Sequence, residues 1–179
     1  MAEAKKGKNL VLLWRLLENE TTDAGTLMMF QTEHSVEKSS DSDSTVTKTG
    51  TIQSKSVMEE EIPFTSLVAD DDPVIEWLHE AIDEGKLLEQ WEIDISKEAV
   101  DGKYPAKYRQ GYLTDLSTTA NAEDDVEVEG TFKTNMKAQK GEATFTMEQL
   151  EAVQYQFRDT IKVTEGEEGE EGEEGEEGE

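Results

Sequence analysis

Four stretches of this chain alternate apolar and polar side chains with a period of two, and that rhythm constrains the fold more than any other feature. In residues 125–136, Val126, Val128 and Phe132 oppose Glu127, Glu129 and Lys133. Leu87–Ser96 sets Trp91, Ile93 and Ile95 against Glu92 and Asp94. Residues 51–65 end with Ile62 and Phe64 against Glu59 and Glu61, and residues 153–160 set Val153, Tyr155 and Phe157 against Gln154, Gln156 and Arg158. Side chains along a strand point alternately to opposite faces, so each stretch reads as a strand with one dry and one wet side.

The remaining segments fit the same class. Residues 8–17 are apolar at both parities, which predicts a central strand buried on both faces. Residues 26–37 read as one strand after a turn at Asp23–Gly25, with Met28, Phe30, Thr32 and His34 on one face and Met29, Gln31 and Glu33 on the other. Residues 38–50 hold almost no large apolar side chain and predict a long hairpin loop. Pro63 places the end of the following strand at a sheet edge or bulge. Residues 103–119 give another strand, with a turn at 121–124.

One helix stands out: Asp72 is a good N-cap, Pro73 suits the first helical position, and Gly85 suits a left-handed stop. Its stripe is Val74, Ile75, Leu78, Ala81 and Ile82. Thr146 and Gln149 form a possible capping box for a turn or two of helix. About seven strands and one substantial helix predict a mainly β protein, a β-sandwich or barrel with a flanking α-helix. The domain spans 1–164, and the three-residue Gly/Glu repeat of 165–179 is a disordered acidic tail.

The net charge of the 179-residue chain is -26, and the tail carries ten glutamates without a base, so 1–164 retain -16. A surface of that sign repels nucleic acid and anionic membranes. Hydrophobic residues are only 34% of the chain, as expected of a protein with much solvated surface or a subunit completed by its neighbours. With no cysteine, disulfides and thiolate metal sites are excluded. Lys5, Lys6, Lys8 and the run Leu10–Leu17 imitate a signal peptide, but Arg15 interrupts the run and no small-residue cleavage site follows, which favours the buried strand. No segment approaches the length of a membrane span, so a soluble protein is expected.

Few residues promise chemistry. Asp41, Asp43, Thr45 and Thr47 place oxygens at every second position, as a calcium loop does. Val46 then stands where the turn needs glycine, and Ile52 where a bidentate glutamate should close the site. Asp70, Asp71 and Asp72 read more simply as a helix start. His34 and His79 are far apart in sequence, no phosphate-binding glycine loop is present, and 43 carboxylates make any catalytic pair uninformative. No enzyme, cofactor or metal is expected. Lys103, Lys107 and Arg109 with Tyr104, Tyr108 and Tyr112 resemble a stacking platform, but at this net charge they read better as an edge of a subunit contact.

Several longer stretches carry a resemblance: "MAEAKKGKNLVLL", "FQTEHS", "DSDSTVTKTGTIQ", "YPAKYRQGYLT", "ANAEDDVEV" and "GEATFTMEQLEAVQYQFRDT". Together, in order over most of residues 1–160, they resemble the major tail proteins, or tail tube proteins, of long non-contractile-tailed phages of Gram-positive bacteria. The resemblance implies a non-enzymatic virion subunit, made in the host cytoplasm, that forms hexameric rings stacked into a hollow tube. It implies tape measure, tail terminator and distal tail proteins as partners, no membrane, and genomic DNA that passes through the lumen without specific binding. It makes Gln31, Glu33, Glu59, Glu61, Glu127 and Glu129, the wet sides of inner strands, candidates to line that lumen. It also makes Asp41, Asp43, Ser44, Thr45, Thr47 and Lys48 candidates for a loop reaching the adjacent ring, with further inter-ring contacts from the termini. The alternative reading is an acidic β-sandwich binding module for carbohydrate or calcium on a phage or cell surface.

Overall fold

Leu10–Leu16 (β1) has no side to give to water, and the architecture is built around that fact. Leu12, Trp14 and Leu16 belong to one buried cluster, Val11 and Leu13 to another on the opposite side of the strand. The computed structural model describes residues 4–40, 42–55, 58–97 and 100–153. After β1 come Thr26–Leu27 (β2), Gln31–His34 (β3), Glu37–Ser39 (β4), Ser42–Thr47 (β5), Gly50–Lys55 (β6) and Glu59–Leu67 (β7). The helix Pro73–Glu84 (α1) leads to Leu88–Asp94 (β8), Lys103–Thr119 (β9), Glu127–Thr134 (β10), Gln139–Thr144 (β11) and the short helix Met147–Val153 (α2). The large sheet runs β2-β1-β8-β9-β10-β7-β3, with β11 also on β9 and β4 also on β7, while among the described residues β5 and β6 pair only with each other.

This sheet curls until its two ends meet. The Trp14 ring on β1 lies 5.2 Å from Phe64 on β7 and 5.2 Å from Phe132 on β10, centroid to centroid. The seam between β1 and β3 is closed by one side chain. The Gln31 amide accepts the Leu12 N–H at 2.8 Å and donates to the Leu12 carbonyl at 2.7 Å. A carboxamide offers the same donor and acceptor as a peptide group, so Gln31 stands in for the strand residue that β2 is too short to supply. α1 fills the concave side with Val74, Leu78 and Ala81. Asp72 caps it by accepting the Val74 N–H at 2.9 Å, and Gly85 ends it at φ 67°, as its sequence requires.

The opposite, convex face has two fates. Over β1, β8 and the start of β9 it carries a second apolar cluster, roofed by Phe145 and Leu150 of the β11–α2 segment. Thr146 and Gln149 form the expected capping box: each backbone N–H bonds the other's side chain, at 3.0 and 3.2 Å. Over β10, β7 and β3 the same face is wet. β9 serves both halves through a bulge, because Thr131 pairs with Asp115 but Phe132 with Leu113. The extra residue, Thr114, resets the alternation so that Leu113 and Leu116 both reach the concave core.

Several expectations need correcting. Residues 26–37 do not form one strand. Phe30 adopts φ 52°, and the Met29 N–H and carbonyl are held by the side chains of Asp72 (2.8 Å) and Ser66 (2.6 Å) instead of a neighbouring strand. Phe30, expected on one face with Met28, is 61% exposed, whereas Met28 is buried. Residues 38–50 are no loop. β4 pairs with β7, and β5–β6 form a ladder from Ser42↔Lys55 to Thr47↔Gly50, since Thr, Ser and Val favour extended backbone even without a core. Strand β11 went unforeseen, because "QKGEAT" has no apolar alternation. The expected strand over 153–160 and the Gly/Glu tail lie, from residue 154 onward, outside the described residues.

Candidate functional site: an acidic sheet face and a projecting hairpin

Cross-strand register decides which of the acidic candidates belong together. Glu129 pairs with Thr65, which pairs with Glu33, while Glu127 pairs with Leu67 and Lys133 with Glu61. Residues directly opposite share a face, so Glu33, Glu59, Glu61, Glu127 and Glu129 all stand on the wet half of the convex face. β9 adds Asp115 and Ser117, paired with Thr131 and Glu129. These two escape the sequence reading because the Thr114 bulge inverts the parity of the second half of β9. The bulge leaves no signal in the apolar pattern beyond the odd spacing of Leu113 and Leu116.

The charges on this face are unevenly balanced. Lys133 binds Glu59 at 2.9 Å and Glu61 at 3.3 Å, and these two contacts, Glu59 first, raise the lysine's pKa and hold it charged. Among the described residues Glu33, Glu127 and Glu129 make no ion pair. A shallow depression of about 260 Å³ between β10, β7 and β3 is lined by Glu33, Asp115 and Glu129. Its carboxylates are too dispersed to chelate: among the described residues no group of three potential ligands could hold a metal ion. What the face can do is project a negative potential over an extended surface.

Gln31 does not join that face; its amide is spent on Leu12 and on the Met28 carbonyl, 2.8 Å away. The alternation that grouped it with Glu33 is broken by a register shift between the two.

The basic and aromatic cluster of β9 is dispersed rather than assembled. Arg109, expected at a subunit contact, is 2% exposed inside the curl, where its guanidinium bonds Glu60 and reaches Gln90 at 3.1 Å and Glu92 at 3.4 Å. Its place follows from register: Arg109 faces Gln90, which faces Trp14, all on the concave side. Lys107 bonds the other Glu92 oxygen at 2.7 Å. Burial alone would raise the Glu92 pKa, but the Lys107 bond and the Arg109 charge outweigh it and keep the carboxyl below its ordinary range. His34 borders this network, and burial, with Arg109 and Lys107, lowers its pKa despite Glu92. Tyr108 hydrogen-bonds Glu89 and packs against Trp91, its hydroxyl pushed up to about 12 by burial and by that carboxylate. Tyr104 meets Phe145 edge-on, and Tyr112 is the one tyrosine of the three left largely exposed. His79 is exposed on α1.

The second candidate element is the β5–β6 hairpin. Among the described residues it joins no other sheet, and it exposes Val46 at 81% and Ile52 at 62%. Thr45 and Ile52 face each other across it, as do Val46 and Thr51, so each of its faces shows one β-branched apolar side chain among hydroxyls. At the tip the Thr47 hydroxyl donates to the Gly50 carbonyl at 2.6 Å, with Lys48 and Thr49 in the turn. Ser44 is exposed, and Asp41 lies outside the described residues. Ser42–Thr47 is a strand, so its successive side chains alternate between the two faces of the hairpin.

Comparisons with known proteins point one way. The family model described as phage tail tube protein matches residues 4–140. A protein of Staphylococcus phage phiMR25, provisionally named a tail protein, is 29% identical over 170 residues, covering 90% of this chain and 86% of that one. Among solved structures, the SPP1 tail tube superposes with a TM-score of 0.63 at 18% identity, covering 89% of this chain and 94% of the other. The tail of an empty gene transfer agent particle, refined with helical and C6 symmetry, gives 0.57 at 11% identity, covering 76% and 98%. The tube-terminating cap of the anti-feeding prophage gives 0.51 at 11% identity, covering 80% and 94%. At these identities the structural likenesses establish a shared fold.

Proposed function

This chain belongs to the phage tail tube protein family, and from that membership we propose that six copies close into a ring and that rings stack into the tube of a phage tail. The acidic face of β9, β10, β7 and β3 lines the lumen, with Glu33, Glu59, Glu61, Glu127 and Glu129 turned toward the passing genome. The observation that carries this reading is the gathering of those five carboxylates on one continuous sheet face, three of them without an ion pair among the described residues. A wall of that sign repels DNA phosphates and avoids the counterion-releasing contacts that would make the genome adhere. The six-fold symmetry of the gene transfer agent tail supports the ring number.

The β5–β6 hairpin reaches the adjacent ring. Its strand edges and exposed Val46 and Ile52 are the features that a neighbouring subunit would cover. Contacts between unlike surfaces of identical subunits, repeated with a rise, build a stack, as a tube requires. Residues 1–164 are the tube-building domain and 165–179 a solvated appendage, with tape measure, terminator and distal tail proteins as further partners. The subunit resides in the virion after synthesis in the host cytoplasm. No helix among the described residues is long and apolar enough to cross a membrane.

Electron microscopy of the concentrated protein, followed by a helical reconstruction, tests this directly. We expect hollow tubes with six subunits per ring and Glu127 and Glu129 on the inner wall. A map that puts those two residues on the tube exterior would sink the lumen assignment. A protein that never polymerises and is missing from virions would sink the tube.

A further inference from the structure

The convex apolar cluster is only partly roofed. α2 covers it as far as Val153, and beyond that point a groove of about 520 Å³ continues between β1 and β3. Its floor is apolar, with Leu10, Val11, Leu27 and Met29, and its far wall carries Glu33 and His34. Phe30 stands at its rim, its side chain mostly in water and its backbone in a left-handed conformation that a bulky residue rarely adopts. Ala152 and Val153, the last described residues, line this same groove, so the chain leaves α2 already inside it.

The sequence beyond α2 suits such a floor. From Val153 the odd positions read Tyr155, Phe157, Asp159, Ile161 and Val163, and the even ones Gln154, Gln156, Arg158, Thr160, Lys162 and Thr164. One face is apolar but for Asp159; the other is wholly polar. A free strand of this pattern would expose four large apolar side chains, which only an apolar partner can relieve. Eleven residues separate Val153 from the Gly/Glu repeat, enough for about 36 Å of extended chain at about 3.3 Å each. Arg158 and Lys162 give this stretch a net positive charge in an otherwise acidic protein, and Glu33 stands on the facing wall.

We propose that residues 155–163 of each subunit fold back as an extended segment into the groove of the same subunit. There they complete the second core with Tyr155, Phe157, Ile161 and Val163 and present Arg158 or Lys162 to Glu33. The occupant is the subunit's own chain because the groove starts where α2 delivers it, with no span to cross. The groove and the sequence that enters it support this docking whether or not the subunit builds a tube.

The absence of cysteine makes chemical mapping clean, but a photo-crosslink is more direct. The full chain carrying a benzophenone amino acid at position 157 is irradiated at a concentration where sizing shows single subunits, in a mixture of light and ¹⁵N-labelled protein. The expected products join residue 157 to peptides containing residues 7–11 or 27–34, with both halves of one isotope composition. Crosslinks of mixed composition would overturn the proposal by making the groove a contact between copies, and crosslinks to other surfaces would overturn the site itself. A second reading uses amide exchange. Phe157→Asp together with Ile161→Asp should speed exchange at residues 27–33 by about tenfold or more while the β8–β9 amides keep their rates. Unchanged rates at 27–33 would also overturn the proposal.

Discussion

Replacing Gln31 separates a seam residue from a surface residue more sharply than any other single change in this chain. Leu12 is 1% exposed, and its N–H and carbonyl both turn toward the Gln31 amide. In Gln31→Leu the N–H loses its acceptor with no water to replace it, a penalty of about 1–3 kcal/mol. The Leu12 carbonyl keeps the Met28 N–H, 3.4 Å away, so it adds only about 0.5–1 kcal/mol. The Met28 carbonyl also loses a donor, and we expect a total near 2–4 kcal/mol, or a drop of about 5–15 °C in Tm for a chain of this size. Gln31→Glu preserves shape and still accepts from Leu12, yet it aims a carboxylate at two carbonyls that need donors.

The cost of Gln31→Glu should be similar at pH 7. The folded state then holds that carboxyl above its unfolded pKa, so the penalty is relieved as pH falls through the folded value toward the ordinary carboxylate range. Urea unfolding of the unassembled subunit, read by tryptophan fluorescence between pH 7.5 and 5, gives both numbers. Glu129→Gln, exposed and without an ion pair among the described residues, is the control and should stay within about 0.5 kcal/mol. A Gln31→Glu variant as stable as the parent at pH 7 would refute the seam and return Gln31 to the surface set where its sequence neighbours place it.

Three further perturbations address other parts of the structure. Asp72→Ala removes both the helix cap on Val74 and the acceptor for the Met29 N–H, and should cost about 2–3 kcal/mol in thermal or urea unfolding; Asp72→Asn should recover part of that loss. Gly111→Ala would put a Cβ 2.0 Å from the Lys133 carbonyl oxygen, so β10 must shift; we expect a loss of more than about 3 kcal/mol, against a negligible change for Gly141→Ala, where nothing lies within 4 Å. His34 titrates below its ordinary 6.5, so the unfolded chain takes the proton first. Its contribution is therefore intact above pH 6.5 and is lost as pH falls toward the folded value. The urea midpoint should fall between pH 7 and 5.5, and His34→Gln should flatten that slope.

Strand periodicity made most of the sheet legible. β9 was expected over residues 103–119 and is found there, and α1 lies between the cap and stop that Asp72 and Gly85 mark. Periodicity failed wherever a side chain replaced a strand partner. Nothing in "TLMMFQTEHSVE" says that Asp72 and Ser66 will hold the Met29 backbone, or that Gln31 will hold Leu12. The acidic face was legible for Glu59, Glu61, Glu127 and Glu129 because β7 and β10 alternate cleanly, and illegible for Asp115 because a bulge is a single extra residue with no chemical signature; Glu33 reaches the face although the alternation expected around it is broken. Arg109 misled for a related reason. Its position in the alternation is concave and dry, but an arginine in an acidic chain invites a surface reading unless its partners, Glu60 and Glu92, are seen to follow it inside.

The length of β9 has a mechanical consequence. Seventeen residues at about 3.3 Å each make a stave of about 55 Å. One end of it carries the roofed apolar cluster and the other the glutamate-rich wall. The Tyr104–Phe145 corner and the charged wall are thus parts of one continuous strand, with the Thr114 bulge between them as the place where it can bend.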